Sequence, residues 1–193
     1  MIRRITLVSI LVMCTVVSVS ADTYVVDPNH SEIGFKVRHL VSRVPGRFTT
    51  FSGTFNINSE NMTESTAELT IETASISTNV TDRDNHLRSE DFFHAEKYPQ
   101  ITFKSSKIRK TGKDKYDVDG ILTMRGVSQP ITIDVEFLGF GSMGKTTKAG
   151  FEATAKVNRK DFDILWNRAL DHGGTILGDD VTISINLELN KQE

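Results

Sequence analysis

Eight stretches of this sequence alternate apolar and polar residues with a period of two, and that pattern leaves few folds open. Ile33, Phe35, Val37 and His39 fall on one face, with Glu32, Lys36 and Arg38 on the other. The same alternation places Phe51, Gly53, Phe55 and Ile57 together, then Ala67, Leu69 and Ile71, then Ile101 and Phe103. It returns at Val118, Gly120, Leu122 and Met124, where Ile121 sits on the opposite face, and at Ile131, Ile133, Val135 and Phe137. Phe151, Ala153, Ala155 and Val157 precede a last run of Val181, Ile183, Ile185, Leu187 and Leu189. Side chains alternate sides in a strand, so each stretch reads as a β-strand with one apolar face. Polar turn segments at 110–114, 125–130 and 139–150 separate successive strands and are expected to be loops. Strands joined in this way form an antiparallel sheet that buries one side. Eight of them in one domain close into a barrel, which removes the exposed edges. The expected fold is all-β, an eight-stranded antiparallel β-barrel.

The N-terminus stands outside this pattern. Arg3 and Arg4 precede an uncharged, mostly apolar run from Ile5 to Val19, and Val19-Ser20-Ala21 offers the small residues a signal peptidase requires. These are the three parts of a secretory signal peptide, with cleavage expected after Ala21, and the run is short for a membrane-spanning helix. The expected domains are a signal peptide at 1–21 and one barrel domain at 22–193, a secreted protein with no membrane span after cleavage. Cleavage would remove Cys14, the single cysteine, leaving a thiol-free domain suited to an oxidising compartment. A net charge of -2 and a pI near 6.2 argue against a nucleic-acid partner.

Between Thr81 and Pro99 the alternation stops. Asp82 to Phe93 reads as a short helical segment, capped by Thr81 or Asp82, in which Leu87 can meet Phe92 and Phe93. A second irregular stretch, 159–167, mixes charged residues with Phe162, Ile164, Leu165 and Trp166. Of the five His residues, His30, His39, His86, His94 and His172, none shows a tight metal-ligand spacing. No metal and no catalytic cofactor is therefore expected. Nucleophile-elbow, phosphate-loop and dinucleotide signatures are missing as well. Arg83-Asp84-x-His86 can be read as an acid-base cluster or as ion pairs lacing a short helix. The enzyme alternative is a metal-dependent or acid-base hydrolase using His39, His86 and Asp84. The barrel interior is also open to two readings. Its small members, Gly53, Ala67, Gly120, Ala153 and Ala155, leave room for one apolar ligand, or neighbouring Phe rings fill the space.

The motifs Asp27-Pro28-Asn29-His30-Ser31, Arg83-Asp84-x-His86-Leu87-Arg88 and Gly150-Phe151-Glu152-Ala153, taken in this order, together resemble the YceI-like, polyisoprenoid-binding family. Asp27-Pro28-Asn29-His30-Ser31 and Phe35-Lys36-Val37-Arg38-His39-Leu40 are similar to its opening. Arg83-Asp84-x-His86-Leu87-Arg88-Ser89-x-Asp91-Phe92-Phe93, then Tyr98-Pro99-x-Ile101-Thr102-Phe103, resemble its most recognisable segment. Gly120 to Val127, Gly150-Phe151-Glu152-Ala153 and Arg159-x-Asp161-Phe162 follow in the same order. The chain departs from many relatives at Asp163, where they carry Gly. The resemblance implies a lipocalin-like barrel, a periplasmic location, no enzymatic activity and an elongated isoprenoid lipid or quinone held inside, with fatty-acid derivatives in some relatives. On this reading Phe35, Val37, His39, Phe51, Phe55, Leu69, Phe103, Leu122, Phe151, Ala153 and Ala155 form the lipid channel. Arg83, His86, Leu87, Phe92, Phe93, Phe162 and Trp166 form its mouth, with Arg83 and His86 toward a head group. The partner is the lipid itself, and a homodimer stays open.

Overall fold

The structure, a computed structural model, describes residues 21–171 and 173–193. The leader with Cys14, and His172, lie outside the described residues. Among the described residues eleven strands are formed: β1 (Asp22–Val26), β2 (Glu32–His39), β3 (Ser42–Phe48), β4 (Phe51–Ile57), β5 (Thr66–Glu72), β6 (Ile76–Ser77), β7 (Gln100–Gly112), β8 (Lys115–Met124), β9 (Val127–Met143), β10 (Thr146–Asn158) and β11 (Leu177–Lys191). The first six are the halves of three kinked staves. β1 pairs with β4 and β2 with β3, while β4 pairs with β5 and β3 with β6. β5 then pairs with β7, and β7 to β11 follow as successive antiparallel neighbours. β11 closes the ring by pairing with both β1 and β2. The result is a closed, eight-staved, antiparallel, lipocalin-like β-barrel whose staves follow chain order.

Each alternating stretch of the sequence supplies one stave, and three turns are tighter than expected. β9 and β10 extend to Met143 and Thr146, so 139–150 is a long hairpin rather than a loop. Likewise β7 continues to Gly112 and β9 begins at Val127. The β8–β9 turn places Arg125 and Gly126 at φ 51° and 76°, the two positive values that match a tight turn to the twist of its strands. β3, which the alternation did not reveal, contains Pro45 and Gly46. Pro45 lies on the exposed outer face, where a missing N–H is tolerated.

The kink between β1 and β2 is built by the Asp27-to-Ser31 motif. Asp27 accepts from the backbone N–H of Asn29 at 3.1 Å, from His30 Nδ1 at 3.0 Å and from Lys148 Nζ at 3.1 Å. Lys148 also reaches Glu188, and the Ser31 hydroxyl bonds both the carbonyl and the N–H of that residue. The bend stays stapled to β11 and β10 while the ladder is interrupted.

One end of the barrel is roofed by helix α1 (Thr81–Arg88) and the turns that follow it. Neither Thr81 nor Asp82 caps this helix. Val80 occupies the cap position without a side-chain bond, and Asp84 reaches back instead to Thr78 N and Oγ1 at 2.7 and 2.5 Å. Arg88 ties the helix to the carbonyls of Ala74 and Ile76, and Arg125 donates to the carbonyls of Glu90 and Phe92. The loop after β10 opens with a 3₁₀ turn at Arg159–Phe162 and completes this end. Asp163 there adopts φ 58° and ψ 20°, so the left-handed position is held by Asp without glycine.

Candidate functional site

The apolar faces of the staves enclose two adjacent chambers. The lower one, of about 140 Å³, lies toward the β1 and β9–β10 hairpin end. Leu69, Phe103, Val118, Phe151, Ala153 and Ile185 are among its walls, and Met62 enters from a short helical turn before β5. The upper chamber, of about 500 Å³, lies under α1. Ile33, Ile71, Ile101, Leu122 and Ile183 border both, so the two share one apolar waist. The upper volume alone falls in the range of small-molecule sites, roughly 300–1,000 Å³.

The small inward residues do not all make space. A β-carbon on Gly120 would lie 2.4 Å from the Phe103 ring and 2.5 Å from the Lys104 carbonyl oxygen. At Gly53 it would lie 2.8 Å from the Glu68 carbonyl oxygen. These two positions are filled by their neighbours, and the expectation that they open volume is corrected. Ala67, Ala153 and Ala155 do border the lower chamber.

Among the described residues, charged and imidazole side chains border only the upper chamber, at its roof. His39, Thr78, Asp82, Arg83, His86 and Arg159 border it among apolar residues. Arg83 is held by donation from Nε to Thr78 Oγ1 at 2.7 Å and from Nη2 to the Thr78 carbonyl at 3.1 Å. His86 bonds Asp91 at 2.9 Å and stands edge-on to Phe92 and Trp166, with ring centroids 4.9 and 5.1 Å away. Phe93 meets Phe48 edge-on, and Phe48 packs on Phe35. The roof is thus an aromatic lid hung between α1 and the β10–β11 loop.

Arg159, buried among these groups, organises that loop. It donates to the carbonyls of Gly178, Ile164 and Trp166 and to Asp179. Burial pushes its pKa down, while the adjacent Asp179 carboxylate opposes that shift.

Of the channel and mouth residues expected from sequence, Phe35, Val37, His39, Arg83, His86, Leu87, Phe92, Phe93 and Trp166 border the upper chamber. Phe55, Leu69, Phe103, Phe151, Ala153 and Ala155 border the lower one, and Leu122 borders both. Phe51 and Phe162 border neither. Phe51 pairs with Ile71 and packs against the surrounding core, and Phe162 is buried under the β10–β11 loop at 1% exposure. Met62, Val44, Thr78, Asp82, Arg159 and Ile164 also border the chambers. Most of them lie in turns and short helices, where no period marks the inward face, and Val44 lies beside Pro45.

The residues of the hydrolase alternative are not joined. Asp84 is committed to Thr78 and His86 to Asp91, and among the described residues neither bonds His39. Arg83 and Asp84 both bond Thr78 rather than one another, and His86 bonds Asp91. A metal-like grouping of Asp27, His30 and Glu188 does exist, away from both chambers. Lys148 Nζ sits on its two carboxylates at 3.1 and 2.5 Å and occupies the place a cation would take.

Fold and site together define a class, an antiparallel lipocalin-like barrel around an apolar cavity with one polar roof. Within that class the YceI-like domain matches residues 24–189, and the chain belongs to the YceI-like family. A UPF0312 protein of Vibrio parahaemolyticus is 42% identical over 158 residues, covering 80% of this chain and 84% of that protein. Protein YceI of Escherichia coli O6:H1 is 42% identical over 153 residues, covering 76% and 78%. The crystal structure of the Campylobacter jejuni YceI protein shares 35% identity at TM-score 0.70, over 82% of this chain and 91% of that one. A polyisoprenoid binding domain from Saccharophagus degradans shares the fold at TM-score 0.64 and 16% identity, over 89% and 99%.

Proposed function

We propose that this chain is an exported, non-catalytic carrier whose barrel encloses the apolar part of an elongated lipid, a polyisoprenoid, an isoprenoid quinone tail or a fatty acyl derivative. The carrying observation is the pair of adjacent chambers that share an apolar waist, with charged and imidazole side chains at one end only. An apolar chain threads the waist into the lower chamber. Its head group stays at the roof, beside His39, Arg83 and His86. Membership of the YceI-like family and the fold shared with a polyisoprenoid binding domain support this reading. The leader supports export to the periplasm.

The test is to extract lipid from protein purified from its own periplasmic fraction, then delipidate it and offer polyprenols, quinones and fatty acids in turn. Native mass spectrometry is expected to show one chain per barrel. A delipidated, folded barrel that takes none of the three classes overturns the proposal. Arg83→Ala is expected to weaken a charged-head lipid more than a neutral one.

A further inference from the structure

The β2–β3 hairpin carries features that barrel packing does not explain. Its tip, Leu40-Val41, is apolar and exposed, Val41 at 99%, and Leu40 is held at φ 51°. A turn tip of this kind normally carries Gly, Asn or Asp. Directly below the tip, Arg38 and Arg43 face one another across the ladder on the outer surface. Like charges in that position repel. Lys36 and Arg47 continue the same exposed face. Among the described residues none of these four cations has a carboxylate partner. The nearby acids on β11 are engaged elsewhere: Asp180 with Lys156 at 2.6 Å, and Asp179 with Lys160 and Arg159 at 2.8 and 3.1 Å. Glu32 is the one acid on this outward face of β2, at the end away from the tip, and in a protein of net charge -2 the cations are therefore segregated toward the tip.

The hairpin also belongs to the mouth. Val37, His39 and Val44 point inward from it and border the upper chamber. Leu40 N–H bonds the Ile176 carbonyl in the β10–β11 loop, which exposes Leu165 between two chamber-bordering residues, Ile164 and Trp166. An apolar wedge backed by unpaired cations is the chemistry that engages an anionic bilayer surface.

We propose that the Leu40-Val41 tip, with Arg38 and Arg43 behind it, docks the barrel mouth on an anionic lipid bilayer. The tip enters the acyl boundary while the arginines meet lipid phosphates. This goes beyond the carrier reading, and its test uses vesicles that contain no isoprenoid, so the two can fail separately.

The experiment is flotation of the purified protein with phosphatidylcholine vesicles, with and without phosphatidylglycerol. Wild type is expected to float with the anionic vesicles at low salt and to be released as salt rises. Each basic residue near the surface is worth about fivefold, so Arg38→Gln with Arg43→Gln should weaken binding on the order of 25-fold. Val41→Ser should weaken it about tenfold. Both variants lie on exposed positions and should melt as wild type does. The proposal is overturned if wild type ignores phosphatidylglycerol vesicles, as it would were an acidic protein the partner. Equal binding to neutral vesicles, or variants that bind like wild type, overturn it as well.

Discussion

Replacing Ala153 with Phe separates a lipid channel from a core that merely packs loosely. Ala153 lies between Val135 on β9 and Ile185 on β11 and borders the lower chamber of about 140 Å³. A hydrocarbon-lined cavity of about 150 Å³ accommodates one benzene molecule. The new phenyl ring therefore has a chamber of its own size to enter. Overpacking of a filled core would cost roughly 1–3 kcal/mol, and in a chain of this length each kcal/mol lowers Tm by about 2–4 °C. The ligand-free variant is expected to melt within about 3 °C of wild type, because the ring fills space rather than displacing neighbours. The consequence for a long lipid is larger. A ring in the lower chamber displaces about one five-carbon isoprene unit, and burial is worth about 0.8 kcal/mol per carbon, or about 4 kcal/mol in all. That corresponds to about three orders of magnitude in Kd. A short chain that ends above the waist should bind as before. The assay is a pair of measurements on delipidated protein, calorimetric Tm and competition binding of a chain-length series. A Tm loss beyond about 6 °C, with long-chain binding retained in the folded fraction, would refute the channel reading at this position.

Two further outcomes follow from buried polar groups. Arg159→Leu leaves the carbonyls of Gly178, Ile164 and Trp166 without this donor, while Asp179 keeps Lys160, and is expected to destabilise the protein by about 3–5 kcal/mol, read as a fall in Tm and loosening of the β10–β11 loop by hydrogen exchange. Asp27 is held well below the ordinary carboxylate pKa by its bonds from His30 and Lys148. Its unfolded form therefore binds a proton first, so its contribution is complete above about pH 4 and declines progressively as the pH falls below that. Asp27→Asn should lower Tm at neutral pH and flatten the acid limb of the stability profile, whereas an unchanged limb would show that other carboxylates govern it.

What the sequence by itself determined is the set of staves and the side of each that faces inward. Period two is a local property of an extended chain, so Phe35, Leu69, Phe103 and Ala153 could be assigned a face without knowing their neighbours. The break at 82–93 was legible for the same reason, since it is where the period stops. Tertiary structure alone decided what those faces enclose. Gly120 and Ala155 are both small and inward, yet one is covered by the Phe103 ring and the other borders a chamber. Phe51 and Phe55 share a face, yet only Phe55 reaches the cavity. The kink that joins β1 and β2 into one stave depends on Asp27, Lys148 and Glu188 meeting across 121 and 40 residues of chain. Arg159 holds the roof through carbonyls, which no side-chain pattern announces. A residue's face follows from its own backbone, but the volume left in front of it depends on side chains from distant strands, and only barrel closure brings those together.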